Sequence, residues 1–555
     1  MRRLSAVAMV LLIAFAGRAA ELPVIPNIVP EQTAICVVVR DLSGLLKEKS
    51  TQDAMSKLTD TPAFRSLFGT QDLKKIAEAA RFLVGQTGLT PEQWIDDLFG
   101  DLALVSYQPG PPGKPDQESG LFVLKPRKAE TLRKLIDQLD AIQTASGEIR
   151  KVRQAEQEGI AYTVRETAKG PSEAYAFRDG SFLFSTREAT LKSVLAKDRP
   201  TIDLNEQLAR LGMADERLTV LFQPRAFDAD LAAADRGGTT DSDRAFVAQF
   251  RKIWASLSCL GVSFSFGPTV EFRAAVQWTT PAAMSAAGVQ SMGSQVPRIA
   301  FPPNALLAVG GKIEARPAMA FLRDFLSTEG RKELDGIVND LIGPAVGKDQ
   351  LPIVLDKLGP NWIAALEPPD KESELLPRWT LAVQLGATPQ MNDALKAPML
   401  QGAEFLAQQF RFAHNKANVD QIRVTRTETS GTSITTLENE LGFADGWKPS
   451  FAAYRGHLVF ASSPEQLLRF DHNPGTPPLA ALRGKLWTEY LKPRQAPLAK
   501  FLAKLNGKDE KSQVEELARL SKLIELFDNM RLEWKSTADT ATLSFRAKLN
   551  LPNNK

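Results

Sequence analysis

Tyr175-Ala-Phe-Arg-Asp-Gly-Ser-Phe-Leu-Phe-Ser-Thr186 and Phe451-Ala-Ala-Tyr-Arg-Gly-His-Leu-Val-Phe-Ala-Ser462 are the two stretches on which the fold is read. Each is an apolar run, a Gly turn and a second apolar run. Aromatic and small apolar residues on either side of such a turn predict a β-hairpin, and a hairpin pairs its strands antiparallel. A helix start follows each one. Ser185-Thr-Arg-Glu188 and Ser462-Ser-Pro-Glu465 have the capping-box spacing, in which a hydroxyl and a carboxylate satisfy free backbone N–H groups. The Arg178-Asp179-Gly180 turn is expected to superpose on Arg455-Gly456.

Outward from these hairpins the chain matches itself in the same order, at an offset of roughly 260 to 275 residues. Pro30-Glu-Gln-Thr-Ala-Ile-Cys-Val-Val-Val39 corresponds to Pro302-Pro-Asn-Ala-Leu-Leu-Ala-Val309, each a Pro-led strand. Phe99–Val105 corresponds to Leu358–Leu366, and Gly120–Leu124 to Trp379–Leu385. Each half closes on a helix and a hairpin, Val262–Phe266 with Val270–Val276 in the first and Leu532–Lys535 with Thr542–Leu549 in the second. The uncharged stretch Thr279–Pro297 falls where a connection between the halves belongs.

The expected organisation is a signal peptide at 1–19, a first domain at 20–278, a linker at 279–300 and a second domain at 301–552. The helices are amphipathic, with stripes Leu132, Leu135, Ile136, Leu139 and Ile142, then Phe246, Phe250, Ile253, Trp254 and Leu257, then Leu517, Leu520, Ile524 and Phe527. Core packing is the reading preferred for these stripes. The counterpart of helix Lys128–Ile142, from Thr388, contains Pro398 and is expected to break or kink there. The fold class expected is α+β: two similar halves, each a mainly antiparallel sheet with helices packed on one face.

With 555 residues, 43% hydrophobic and 24% charged, the chain is long enough for large cores and is neither disordered nor fibrous in composition. Two arginines, an apolar run of about 13 residues and then Gly17-Arg-Ala19 give the charged, apolar, small order of a cleaved secretory signal. Taking Arg2, Arg3 and Arg18 from the 68 basic residues leaves 65 against 65 acidic ones. Such a balance argues against a general electrostatic grip on nucleic acid. No later segment is apolar for long enough to span a membrane. The two cysteines, Cys36 and Cys259, both lie in strand-like contexts. An export compartment permits their pairing, while two separate buried thiols are the alternative, and the sequence leaves both open.

Catalytic chemistry is sparse. His414, His457 and His472 are the three histidines, and none has metal-ligand spacing with a second His, Cys or carboxylate. His457 is expected on a solvated strand position and His472 in a turn. Gly343-Pro-Ala-Val-Gly-Lys348 has too few residues between its glycines for a phosphate loop, and one of them is a proline without an N–H. Gly261-Val-Ser-Phe-Ser265 is not a nucleophile elbow. Asp96-Asp97, Asp215-Glu216 and Asp228-Ala-Asp230 are raw material for a carboxylate pair, with caps and solvated ends as the preferred reading. No catalytic, cofactor-binding or metal site is assigned, and no cofactor is expected.

Taken together, the leader, the Pro-led openings through Thr33-Ala34 and Asn304-Ala305, and the two strand-turn-strand-helix units ending at Leu195 and Phe470 resemble a large uncharacterised exported-protein family of planctomycete-like bacteria. That resemblance implies location and architecture, and no activity. The expected function is an exported, non-catalytic binding or scaffold protein of the cell envelope, periplasmic or extracellular, its partner an envelope protein or an apolar ligand. A carboxylate-based hydrolase and a periplasmic lipid carrier are the alternatives.

Overall fold

The computed structural model describes residues 22–59, 85, 90–234, 240–286, 298–312, 314–347, 349–439, 441, 443, 447–471, 473–507 and 509–550. The expected signal peptide at 1–19, His472 and residues 287–297 of the expected linker lie outside them.

The first ten strands are β1 (Ile35–Arg40), β2 (Leu102–Gln108), β3 (Ser119–Lys125), β4 (Ile149–Gln157), β5 (Ile160–Thr167), β6 (Glu173–Arg178), β7 (Ser181–Ser185), β8 (Leu218–Phe222), β9 (Leu257–Ser265) and β10 (Thr269–Trp278). Among them run α1 (Leu42–Lys47), α2 (Lys49–Thr59), α3 (Pro91–Phe99), α4 (Ala129–Ala145), α5 (Glu188–Leu195), α6 (Leu204–Arg210), α7 (Asp228–Ala234) and α8 (Asp241–Ser256). After α9 (Pro281–Ala286) comes a short strand, β11 (Arg298–Ile299). The expected linker therefore carries regular structure at both ends.

The remaining strands are β12 (Leu307–Lys312), β13 (Asn361–Glu367), β14 (Arg378–Gln384), β15 (Arg423–Thr429), β16 (Thr432–Glu438), β17 (Ser450–Tyr454), β18 (His457–Ala461), β19 (Pro474–Gly475), β20 (Ala480–Arg483), β21 (Phe527–Ser536) and β22 (Thr540–Leu549). Their helices are α10 (Ala315–Asp324), α11 (Thr328–Ile337), α12 (Gly343–Val346), α13 (Leu351–Lys357), α14 (Pro389–Ala417), α15 (Pro464–Leu468), α16 (Gly484–Leu491), α17 (Gln495–Asn506) and α18 (Glu510–Glu525).

Every pairing is antiparallel, and among the described residues twenty strands form one sheet. From one edge the order is β4-β5-β6-β7-β3-β2-β1-β8-β9-β10. From the other edge it is β15-β16-β17-β18-β14-β13-β12-β20-β21-β22. Numbered within its own set, each runs 4-5-6-7-3-2-1-8-9-10. The two sets meet strand ten to strand ten, with Thr269–Gln277 of β10 paired along Thr540–Lys548 of β22.

Four hairpins turn in two residues, at Glu158-Gly159, Asp179-Gly180, Ser430-Gly431 and Arg455-Gly456. In all four both residues have positive φ, between 48° and 81°. That is the geometry whose twist suits a two-residue hairpin, and it explains the glycine at the second position of each.

The α+β class with an antiparallel sheet is as expected, but the helices cover both faces rather than one. Val37, Val39, Ala103 and Val105 face Leu45 of α1, Leu98 of α3 and Leu132 and Leu135 of α4. The alternate residues, Val38, Leu102 and Leu104, face Leu191 of α5, Leu204 and Leu208 of α6, and the lead-in residues Ile25, Ile28 and Val29. In the second set Phe451 and Leu458 pack on α13 and α14, while Val459 and Ala452 pack with Leu467 of α15. Strands apolar at every position, such as Val37-Val38-Val39, need cover on both sides. A separate cluster joins Tyr490, Leu498, Leu517 and Ile524 of α16–α18 to Leu306. Each fully buried Leu in these clusters contributes on the order of 2 kcal/mol.

Local expectations changed in three places. Neither capping box forms: Ser185 Oγ accepts from Arg187 N and donates to Gly120 O, Glu188 pairs with Arg153 and Lys192, and α15 is capped by Ser463 accepting from Gln466 N. Helix α14 runs unbroken through Pro398, which is buried inside it. Leu257 and Phe527 begin strands rather than end helices. No described helix is long and apolar enough to cross a membrane.

Candidate functional site

The residues singled out from sequence do not converge. His414 at the end of α14 lies 3.1 Å from Asp420, which also accepts from Asn439, in a partly exposed corner. The Asn439 hydrogen bond, and then that of His414, hold the Asp420 carboxyl below its usual range. His457 is buried rather than solvated: its Nδ1 lies 2.8 Å from the Arg455 carbonyl and its ring packs edge-on to Phe470. Four of the candidate carboxylates are taken up by local partners. Asp96 binds Lys47 and Ser43, Asp97 binds Lys128, Glu216 binds Arg273, and Asp228 takes Trp254 Nε1–H and Arg225. Among the described residues no group of three His, Cys, Asp or Glu could hold a metal ion.

Cys36 and Cys259 are both buried free thiols. Strand β8 lies between them, because Cys36 pairs with Leu221 and Leu221 with Gly261. Two strand spacings separate their backbones by about 10 Å, beyond the reach of a disulfide. Burial pushes the Cys259 thiol up to about 12 and the Cys36 thiol higher still.

A cavity of about 460 Å³ opens on the β13–β14 surface of the second set. Its floor is Ile363, Ala365 and Glu367 of β13 with Arg378 and Thr380 of β14, and its walls are Phe301, Asn304, Gln466, Arg469 and Asn473. Glu367 sits opposite Arg378 in the ladder and is itself buried. Gln466, 2% exposed on α15, donates from Nε2 to Glu367 Oε1 at 2.6 Å and to Thr380 Oγ1 at 3.1 Å. Its Oε1 is buried and accepts nothing, and Arg378 Nε has no hydrogen-bond acceptor. Asp370 binds both Arg378 and Arg469.

Register identifies the first-set counterparts. Gln108 stands opposite Ser119 as Glu367 stands opposite Arg378. On that face of the first set, Leu104 and Leu121 lie beneath the lead-in Ile25–Val29 and α6. Asn205 of α6 clasps the lead-in by bonding both N and O of Ile25. Among the described residues the second set has no helix in this place. Its lead-in pairs as the β11–β19 ribbon, as Pro30 bridges to Thr201 in the first set, but the connection from α15 to β20, 469–479, is about half the length of the one from α5 to β8, 196–217. A second, more open groove of about 660 Å³ continues from the cavity over β20 and β21.

None of Glu367, Arg378, Thr380 or Gln466 was singled out from the sequence. The signal lay in the comparison of the two halves, where polar residues in one replace neutral or apolar ones at matching ladder positions in the other. Searches of family models, of curated proteins and of solved structures gave no match to this chain.

Proposed function

We propose that the chain is a non-catalytic binding protein, exported to the periplasm or beyond, whose second ten strands carry the binding face. The leader pattern supports export. The common strand order and the matched positive-φ turns support descent of both sets from one duplicated unit. One observation carries the binding reading: Gln466 Oε1 is buried without a donor at the wall of a cavity whose first-set counterpart is filled. A buried unpaired acceptor costs roughly 1–3 kcal/mol, which a ligand N–H or O–H recovers.

The carboxylates favour binding over hydrolysis. Glu367 is held by Gln466, and Asp370 lies between two arginines, so neither is left as a free acid or base. A floor of Glu, Arg and Thr also suits a polar ligand group better than an acyl chain.

The test is a photo-crosslinking residue at Asn304, on the rim, in protein made in its native host. A ligand adduct is expected, and its loss when Ala365→Phe fills the cavity. An adduct unchanged by Ala365→Phe, or none at all, overturns the reading.

A further inference from the structure

The groove beside the cavity indicates what kind of partner the second set takes. In the first set Leu221 of β8 pairs with Gly261 of β9, and the residues after α6 cover them: a Cβ at Gly261 would stand 2.7 Å from Leu211 Cδ1 and 2.9 Å from Met213 Sδ. Gln223, just beyond β8, donates to Gln207 of α6 at 2.7 Å. By ladder position the second-set counterparts are Ala481 for Leu221, Arg531 for Gly261 and Arg483 for Gln223. All three line the open groove. The seat of a helix is thus present, and no helix among the described residues fills it.

Two of these three substitutions add a positive charge and none adds a negative one. Arg483, Lys485 and Arg531 line the groove with no ion pair or side-chain hydrogen bond in the described structure, and the acid at its rim, Asp528, is already paired with Lys548 at 3.0 Å. Phe301 supplies apolar contact. The helix that fills the first seat has the complementary character: residues 201–215 carry Leu204, Leu208 and Leu211 inward, with Asp203, Glu206 and Asp215 against the single basic residue Arg210.

We propose that this groove seats a short acidic amphipathic helix of a partner protein, in the position that Leu204–Arg210 occupies in the first set. The inference rests on the binding reading above and names its partner. Leucines at helical spacing replace the cover the sheet lacks, and the acids on the flanks meet the three cations.

The probe is a fluorescein-labelled peptide of residues 201–215 titrated against the chain lacking residues 1–19, followed by anisotropy. Saturable binding is expected. Arg483→Glu with Arg531→Glu should weaken it about tenfold or more, as loss and reversal of charge pairs at a rim does. Arg531→Glu alone, at an exposed strand position, serves as the variant that leaves the fold unchanged and should weaken binding about threefold or more. A peptide with Leu204, Leu208 and Leu211 changed to Asp should not bind. Absence of saturable binding, or binding indifferent to the charge reversals, overturns the proposal. A failed titration beside a positive Asn304 crosslink removes the helix and leaves the binding reading standing, whereas failure of both removes both.

Discussion

Gly261 and Arg531 occupy the same ladder position in the two sets of strands, each between the eighth and tenth strand of its own set, yet one is roofed and the other open. Gly261 faces Leu221 and Ala275 under Leu211 and Met213; Arg531 faces Ala481 and Arg546 and is exposed. Adding a side chain should therefore matter at only one of them. Gly261→Val forces Leu211 and Met213 outward and should cost about 1–3 kcal/mol by overpacking. Arg531→Val should stay within about 0.5 kcal/mol of wild type. Urea denaturation of both variants checks this, and equal losses would show that the two positions are covered alike.

The hairpins and the antiparallel pairing were legible because Gly turns and apolar runs are local signals, whereas the order of the strands was not, since β7 beside β3 and β8 beside β1 are pairings between distant stretches. Helical cover on both faces was legible too and was missed, since Val37-Val38-Val39 and Leu102-Ala-Leu-Val105 are apolar at every position instead of alternating. The open site was not legible in either half alone. Glu367 and Gln466 are 99 residues apart and meet only because β13 and α15 share one face. The lack, among the described residues, of a second-set counterpart to Leu204–Arg210 goes with a shorter connection, which a match of apolar runs passes over. The burial of His457 depended on Phe470 folding back over the strand, a tertiary contact with no local pattern.

The paired turns give a comparison in which backbone strain is held constant. Gly180 and Gly456 have φ of 74° and 77°. A Cβ at Gly180 meets nothing within 4 Å, while one at Gly456 stands 2.9 Å from Asn392 Nδ2. Gly180→Ala should cost about 1 kcal/mol for the left-handed backbone alone. Gly456→Ala should cost more by the displacement of Asn392, and Gly456→Ala with Asn392→Ala should fall back toward the Gly180→Ala value. Thermal melts of the three variants provide the measurement, and a double variant no better than Gly456→Ala would place the cost elsewhere.

For the cysteines the expectation is two free thiols in native protein purified without reductant. Thiol titration should count both after denaturation, and neither should react quickly before it, because burial raises both thiols and leaves little thiolate at pH 8. A folded-state value raised from 9.0 to about 12 at Cys259 means that the folded chain keeps a proton the unfolded chain releases. The associated stability is fully present below about pH 9 and declines as pH rises towards 12. Cys259→Ala should flatten that alkaline decline. A bridged Cys36–Cys259 peptide in a non-reduced digest would contradict the placement of β8 between them.

The seam between β10 and β22 should be sensitive at the acid end. Glu271 stands opposite Arg546, accepts a hydrogen bond from Arg546 Nη2 at 3.1 Å on Oε1, has Arg546 Nε in ion-pair contact 3.0 Å from Oε2, and also binds Arg273 at 2.9 Å. Burial alone would raise its carboxyl, but the hydrogen bonds from Arg546 and Arg273 outweigh that and hold it below the ordinary value. A depressed value in the folded chain makes the contribution complete above about pH 4.5 and lost as pH falls through the folded value. Arg546 is about one third exposed, so the pair lies between a surface and a buried bridge, and Glu271→Gln should cost about 1–2 kcal/mol at pH 7. The difference between Glu271→Gln and wild type should shrink as pH is lowered from 5 towards 3, because protonation does to the wild type what the amide does permanently. Urea midpoints measured across that range decide it: a gap that stays constant from pH 7 to pH 3 would mean that the charge of Glu271 contributes nothing to joining the two sets of strands.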